Sequence, residues 1–287
     1  MTTSLAAHPT LPSPLRWVGG KSRLRAQILP LIPPHTTYAE PYGGGAWVLF
    51  GKRRSAVEVY NDLDGDVSTF FRVLRDQPDA LIRRFDWTLV SRETFETLKG
   101  TDPATLSDLD RAYRLYYLIM AGWGGELGSP RFQTAVHDAG GGNRLLGALR
   151  DLPGKLRPAA QRLQGVHVEQ RPALDIIRTY DAPDAFFYVD PPYPGNGCNY
   201  AVNMRDLDEH RALADVLARV QGRWLLSTYD RPDLIELYGG SFTHRVQSAS
   251  GMAASGGEGR VQNREVLIGN YTPAHPAPMP GLFGPAA

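Results

Sequence analysis

Residues Ala185 to Val189 (AFFYV) are apolar or aromatic without a break, and they run directly into Asp190-Pro191-Pro192-Tyr193. A run with no polar face reads as a strand buried in a sheet. Two successive prolines then remove the N–H donors that a ladder needs, so the strand must stop there. The fold is therefore obliged to carry a carboxylate, two rigid rings and an aromatic to the mouth of a sheet.

Other short β-branched or aromatic runs suggest strands at Thr37–Glu40, Ala56–Tyr60, Gly165–Glu169, Arg223–Thr228, Ser241–Ser248 and Asn263–Tyr271, beside Ala185–Asp190. Helical periodicity is present at Ser22–Leu31, Gly44–Lys52, Asp66–Asp76, Leu106–Ala121, Leu174–Tyr180, Asp206–Gln221 and Pro232–Tyr238. Strands and helices alternate from 37 to 75 and again from 165, while 76–164 has helical patterns and no convincing strand. The expected fold class is α/β: a mostly parallel, Rossmann-like sheet over 14–75 and 165–272, with a helical subdomain over 76–164 inserted into it. A flexible leader is expected over 1–13 and a disordered Pro-rich tail over 273–287.

Composition excludes some classes. The single cysteine, Cys198, rules out a disulfide framework or a cysteine-type zinc site and fits a reducing cytoplasm. No apolar run approaches the roughly 20 residues of a membrane span, so a cytoplasmic chain without membrane contact is expected. Net charge is only +1, so a polyanionic partner would have to be met by a local patch. Between Arg111 and Arg171 nine Arg or Lys stand against four acids, a basic stretch or an ordinary solvated helical surface.

Four stretches carry chemistry. Tyr38-Ala39-Glu40-Pro41-Tyr42-Gly43-Gly44-Gly45 ends a strand in three glycines before a helix pattern, either a plain tight turn or a place where a nucleotide-type ligand comes close to backbone. Asp62, in Asn61-Asp62-Leu63-Asp64, closes the next strand 19 residues after Gly43, where a ribose diol is held. Asn61 or Asp62 could instead cap the helix that follows, but Asp64 is equally placed to do so and would leave Asp62 for a ligand. Arg16-Trp17-Val18-Gly19-Gly20-Lys21-Ser22 ends like a P-loop, but Leu15 stands where the first glycine is needed, so an NTPase reading fails. What is left is an aromatic, a glycine pair and a lysine before a helix.

The fourth is Asp190-Pro191-Pro192-Tyr193 itself. The exocyclic amine of adenine is a poor nucleophile because its lone pair is delocalised into the ring. The Asp190 carboxylate and the Pro191 carbonyl can each accept one N–H, which favours a more tetrahedral nitrogen with its lone pair out of plane. The prolines hold that turn rigid, and Tyr193 offers a face for a base. No metal is required.

Together, in this order, Trp17–Lys21, Glu40–Gly45, Asn61–Asp64 and Asp190–Tyr193 resemble the motifs of the Dam-type (D12 class) S-adenosylmethionine-dependent DNA N6-adenine methyltransferases. Leu115–Gly125 is similar to the helix and turn that open that family's target-recognition insert, and Gly256-Gly257 with Asn263–Ile268 to its closing segment. The resemblance implies a class I methyltransferase sheet with an inserted target-recognition subdomain. It implies S-adenosyl-L-methionine as methyl donor, held by Trp17, Lys21, Glu40, Pro41, Gly43, Gly45, Asp62 and Asp190, with Asp190, Pro191, Pro192 and Tyr193 as the catalytic motif. It implies double-stranded DNA as partner, met by Trp123, Arg131, Asn143 and Arg144, base flipping, and a monomer with no obligatory protein partner. Only Arg131-Phe132 of the family's recognition segment survives, so no target sequence carries over. Asp190 favours adenine over N4 of cytosine, where related enzymes often carry serine.

Overall fold

The computed structural model describes residues 10–17, 19–88, 90–122, 130–133, 144–194, 204, 206–247 and 264–274 of the 287-residue chain. Among them the strands are β1 (Thr37–Glu40), β2 (Val57–Asn61), β3 (Val166–Glu169), β4 (Ala185–Val189), β5 (Arg223–Tyr229), β6 (Phe242–Gln247) and β7 (Arg264–Gly269). They form one seven-stranded sheet in the order β3-β2-β1-β4-β5-β7-β6. The pairs from β3 through β5 are parallel, and β7 runs antiparallel between β5 and β6. Each lies within a residue or two of its sequence-expected run.

The helices are α1 (Arg25–Ile28), α2 (Trp47–Gly51), α3 (Gly65–Asp76), α4 (Pro78–Arg83), α5 (Arg92–Gly100), α6 (Asp108–Ala121), α7 (Arg144–Arg150), α8 (Leu152–Leu163), α9 (Ala173–Tyr180), α10 (Leu207–Leu217) and α11 (Pro232–Tyr238). Side chains alternate across a strand, so β4 feeds two cores at once. Phe186 and Tyr188 join an apolar cluster built with α1 to α6 and α8, while Ala185, Phe187 and Val189 join one built with α9, α10 and α11. This double coverage is why all five residues of β4 are buried and why its sequence shows no polar alternation. The helices of 76–164 build outward from α3 and share its core, with Phe70 of α3 stacked on Tyr116 of α6 at 5.6 Å. Within this stretch the described residues hold no strand beyond one bridge, Gly122 with Phe132.

Helix α1 begins at Arg25, three residues after the expected Ser22, and two other helix ends differ from expectation for local reasons. The glycine stretch does not open α2, because Gly44 (φ 46°) and Ala46 (φ 54°) are left-handed and the helix begins at Trp47. Helix α10 stops at Leu217, and the N–H groups of Gln221 and Gly222 donate instead to the Asp181 carboxylate, each at 3.0 Å.

A buried ion network ties α8 to the sheet. Glu58 on β2 is 3% exposed and takes Lys52 Nζ at 2.6 Å and Arg162 at 2.5 and 2.8 Å, while Arg162 also donates to the Leu49 carbonyl at 2.8 Å. Burial alone would push the Glu58 carboxyl up, but Arg162 and Lys52 outweigh it and hold it below its ordinary value. Removing one partner of such a group leaves an uncompensated buried charge. Arg162→Ala should therefore cost about 3–5 kcal/mol in urea unfolding, whereas Arg157→Ala, which breaks an exposed pair with Asp79, should cost about 1 kcal/mol or less. Equal costs would show that the buried network contributes nothing special.

Candidate active site

Strand β1 lies between β2 and β4: the chain runs from β1 through β2 to β3 on one side, then crosses back to β4 and β5 on the other. An open α/β sheet offers a ligand crevice at that switch point, outside the carboxyl ends of the strands. All four chemical stretches of the sequence meet there.

The glycine loop is tied down from β2. Gly43 N–H donates to the Asn61 carbonyl at 2.8 Å, Gly44 N–H to Asp62 Oδ2 at 2.8 Å, and Tyr60 hydroxyl to the Gly44 carbonyl at 2.8 Å. A Cβ at Gly43 would stand 2.2 Å from the Tyr60 ring, so only glycine fits. Trp17 lies against the loop from the other side: a Cβ at Gly44 would meet its Nε1 at 2.8 Å, and one at Gly45 its Cβ at 2.9 Å. Beside them Trp47 Nε1 is buried and has no hydrogen-bond partner among the described residues. Asp64 caps α3, as its position suggested, by accepting from Asp66 N–H at 2.9 Å. Asp62 receives Gly44 on one oxygen and Asp64 N–H on the other at 2.9 Å, which leaves lone pairs on each. Burial pushes its carboxyl up to about 6 against those two bonds.

Glu40 is 2% exposed, and its Oε1 accepts from the Tyr38 hydroxyl and from Leu49 N–H, both at 2.6 Å. That oxygen is spent inside the protein, joining β1 to α2. Asn61, fully buried, binds the Pro41 carbonyl at 2.8 Å and both backbone groups of Arg171, at 2.9 and 3.0 Å.

Asp190 leaves the end of β4 into a dense cluster. Its Oδ1 takes Lys21 Nζ at 2.8 Å, Ser227 hydroxyl at 2.7 Å and Tyr193 hydroxyl at 3.2 Å. Because the Ser227 proton points to Asp190, Tyr188 is the donor across the 3.2 Å contact to Ser227. Lys21 Nζ is also 3.7 Å from Glu265 Oε2, which lies 2.9 Å from the Tyr193 hydroxyl. Lys21 is 6% exposed; burial pushes its pKa down, but Asp190 and Glu265 together hold it above the ordinary value. Asp190 Oδ2 makes no hydrogen bond among the described residues and is left for a ligand. Pro191 is buried and Pro192 half-buried beside it. The open ring face expected of Tyr193 is instead covered: the ring is 9% exposed, with Lys21 Nζ 5.0 Å from its centroid and Tyr229 packed edge-to-face at 4.7 Å.

Sequence reasoning thus placed Trp17, Lys21, Gly43, Gly45, Asp62 and Asp190 to Tyr193 at one edge of the sheet, and the fold brings them together. It missed Ser227 and Glu265 as site residues. A lone acid opening the apolar strand Glu265–Ile268 and a serine inside the buried run Trp224–Thr228 were the available signals. Arg131 is exposed next to the bridge at Phe132, Arg144 begins α7, and Trp123 and Asn143 lie outside the described residues.

The family model described as D12 class N6 adenine-specific DNA methyltransferase matches residues 17–250 of the chain. The DNA adenine methylase of Vibrio cholerae is 27% identical over 280 residues, covering 90% of this chain and 95% of the relative. Type II methyltransferase M1.LlaDCHI of Lactococcus lactis subsp. cremoris is 29% identical over 118 residues, 38% of this chain and 41% of that relative, so here less than half of the relative's length is spanned. Modification methylase StsI of Streptococcus sanguinis is 36% identical over 67 residues, 23% of this chain and 10% of the relative.

Glu40 gives the site a pH signature. Burial pushes its carboxyl up from 4.5 to about 7, against the Tyr38 and Leu49 bonds. Between those values the folded chain keeps a proton that the unfolded chain has released, so raising the pH opposes folding. Stability of the ligand-free protein should fall by roughly 3 kcal/mol from about pH 5 to pH 8, and Glu40→Gln should remove most of that slope. Asp62 adds a similar slope below about pH 6 that the substitution leaves in place. Urea unfolding across this range checks it; an unchanged slope would mean that Glu40 ionises in the fold as it does outside it.

Proposed function

Because the chain belongs to the D12 class N6 adenine-specific DNA methyltransferase family, we propose that it transfers a methyl group from S-adenosyl-L-methionine to N6 of an adenine turned out of double-stranded DNA. The residues at the switch point suit that donor. Gly43 and Gly45 let the loop backbone lie against Tyr60, Trp17 and Trp47 where a side chain would clash, and Asp62 retains lone pairs for the ribose hydroxyls. When bound, the donor supplies a methyl group on a sulfonium.

The chain's own part is to hold the amine and to exclude water. Asp190 Oδ2 accepts one amine N–H and the Pro191 carbonyl the other, and Pro192 keeps that turn rigid. The nitrogen lone pair is then aimed out of the ring plane toward the methyl group, so most of the rate comes from positioning and electrostatics. Turning the base out costs a few kcal/mol, offset by contacts in the pocket. In this reading 14–75 and 165–272 form the catalytic domain. The insert over 76–164 recognises DNA through Trp123, Arg131, Asn143 and Arg144, with Arg side chains reaching base edges or phosphates.

One observation carries the reading: among the described residues, three donors lie on one oxygen of Asp190 and none on the other. Duplex DNA incubated with methyl-labelled S-adenosyl-L-methionine and digested to nucleosides should yield N6-methyladenine. N4-methylcytosine would keep the mechanism and overturn the base. Asp190→Ala should cut turnover by at least about 10²-fold and leave DNA affinity within about twofold; retained turnover would sink the role given to Asp190.

A further inference from the structure

Three donors converge on Asp190 Oδ1, and they differ in how firmly they hold it. Lys21 brings a point charge on a flexible four-carbon stem, and Tyr193 lies at a long 3.2 Å. Ser227 is the closest at 2.7 Å, lies inside β5 and is fully buried. The χ2 torsion of an aspartate is broad, so its partners, and not its rotamer, set the plane of the carboxylate. The shortest bond, coming from the interior of the sheet, therefore governs that plane.

Sheet register puts Ser227 there. Strands β4 and β5 run parallel with Val189 opposite Leu226, and one step further along the pair places Ser227 beside Asp190. Residues two apart on a strand share a face, so Tyr188 lies on the same side of the sheet as Asp190. Its hydroxyl is 3.2 Å from the Ser227 oxygen, and since Ser227 gives its own proton to Asp190, Tyr188 is the donor between them. Tyr188 is 3% exposed, and burial with Asp190 nearby pushes its pKa well above the ordinary value, so it stays a donor. The result is a chain of two hydroxyls ending on one carboxylate oxygen, in which each bond polarises the next. A serine inside a buried apolar run is otherwise a costly choice; here both of its bonds lead to Asp190 and to the strand that carries it.

We propose that Ser227, held by the Tyr188 hydroxyl, is a positioning residue that fixes the plane of the Asp190 carboxylate, so that Oδ2 meets the N–H of the substrate amine in the orientation methyl transfer needs. The proposal rests on the methyl-transfer reading above. Both residues act through Asp190. A serine that served only the core would, when removed, lower stability and leave the methyl-transfer step as it was. A positioning serine slows that step and leaves ligand affinity as it was.

The experiment is single-turnover methylation of mixed-sequence duplex DNA by the full chain, for wild type, Ser227→Ala, Tyr188→Phe and the double variant. Kd for S-adenosyl-L-methionine and for the duplex is measured on the same preparations. Ser227→Ala should slow methyl transfer at least about tenfold and leave both Kd values within about twofold of wild type. Tyr188→Phe should slow it by a smaller factor, about threefold. The double variant should be within about twofold of Ser227→Ala, because Tyr188 acts only through Ser227. An unchanged rate in Ser227→Ala, or a lost rate matched by lost affinity, overturns the proposal. A double variant whose loss is the product of the two single losses overturns it as well, since Tyr188 would then act on its own. If Ser227→Ala does not fold, Ser227→Cys decides: it keeps the shape and weakens the donor, and an unchanged rate there overturns the proposal. Failure of wild type to methylate DNA would instead remove the methyl-transfer reading, and this inference with it.

Discussion

A buried ammonium cannot stand without counter-charge, and Lys21 organises the active edge of this protein through that requirement. At 6% exposure, burial alone pushes its pKa down; Asp190 and Glu265 more than offset this and hold it above the ordinary value. The two carboxylates come from the end of β4 and the start of β7, so satisfying Lys21 draws the N-terminal segment across the carboxyl ends of the strands. The bend that allows this is local. Gly19 is left-handed at φ 72°, and Gly20 N–H closes back on the Trp17 carbonyl at 3.0 Å. Trp17 is thereby set against Gly44 and Gly45, so one ion pair also shapes the far wall of the glycine cradle.

The same edge is joined to the helical stretch by carboxylates in succession. Asp62 receives Asp64 N–H, Asp64 receives Asp66 N–H, and Asp66 pairs with Arg111 and with Arg114 at 3.0 Å, both on α6. Each link answers a local need: Asp62 closes the glycine loop, Asp64 caps α3, and Asp66 offsets two arginines. Their sum is a continuous polar path from the end of β2 to the helix that leads to Gly122 and Phe132. The helices beyond residue 76 are packed on the sheet's own layer through α3, not set apart by a linker.

Much of this architecture is legible in the chain because it depends on neighbours in sequence. An unbroken apolar run such as AFFYV can only be a strand covered on both faces, two prolines must end it, and three glycines before a helix pattern must form a turn. The sequence by itself therefore determined where the strands lie, that the sheet is mostly parallel, and that Asp62 and Asp190 stand at strand ends. Helix starts were less legible, since whether Gly44–Ala46 continues a helix depends on contacts with Trp17 and Tyr60.

Tertiary structure alone decided which strands are neighbours, because pairing depends on contacts between residues far apart in the chain. It placed β7 antiparallel between β5 and β6, and only that reversal carries Glu265 to the carboxyl edge of the sheet. It buried the ring of Tyr193 and turned its hydroxyl into a link between two carboxylates. It chose which oxygen of Asp190 the donors occupy, a distinction the linear motif cannot hold, because two of them, Lys21 and Ser227, come from segments far from Asp190 in the chain.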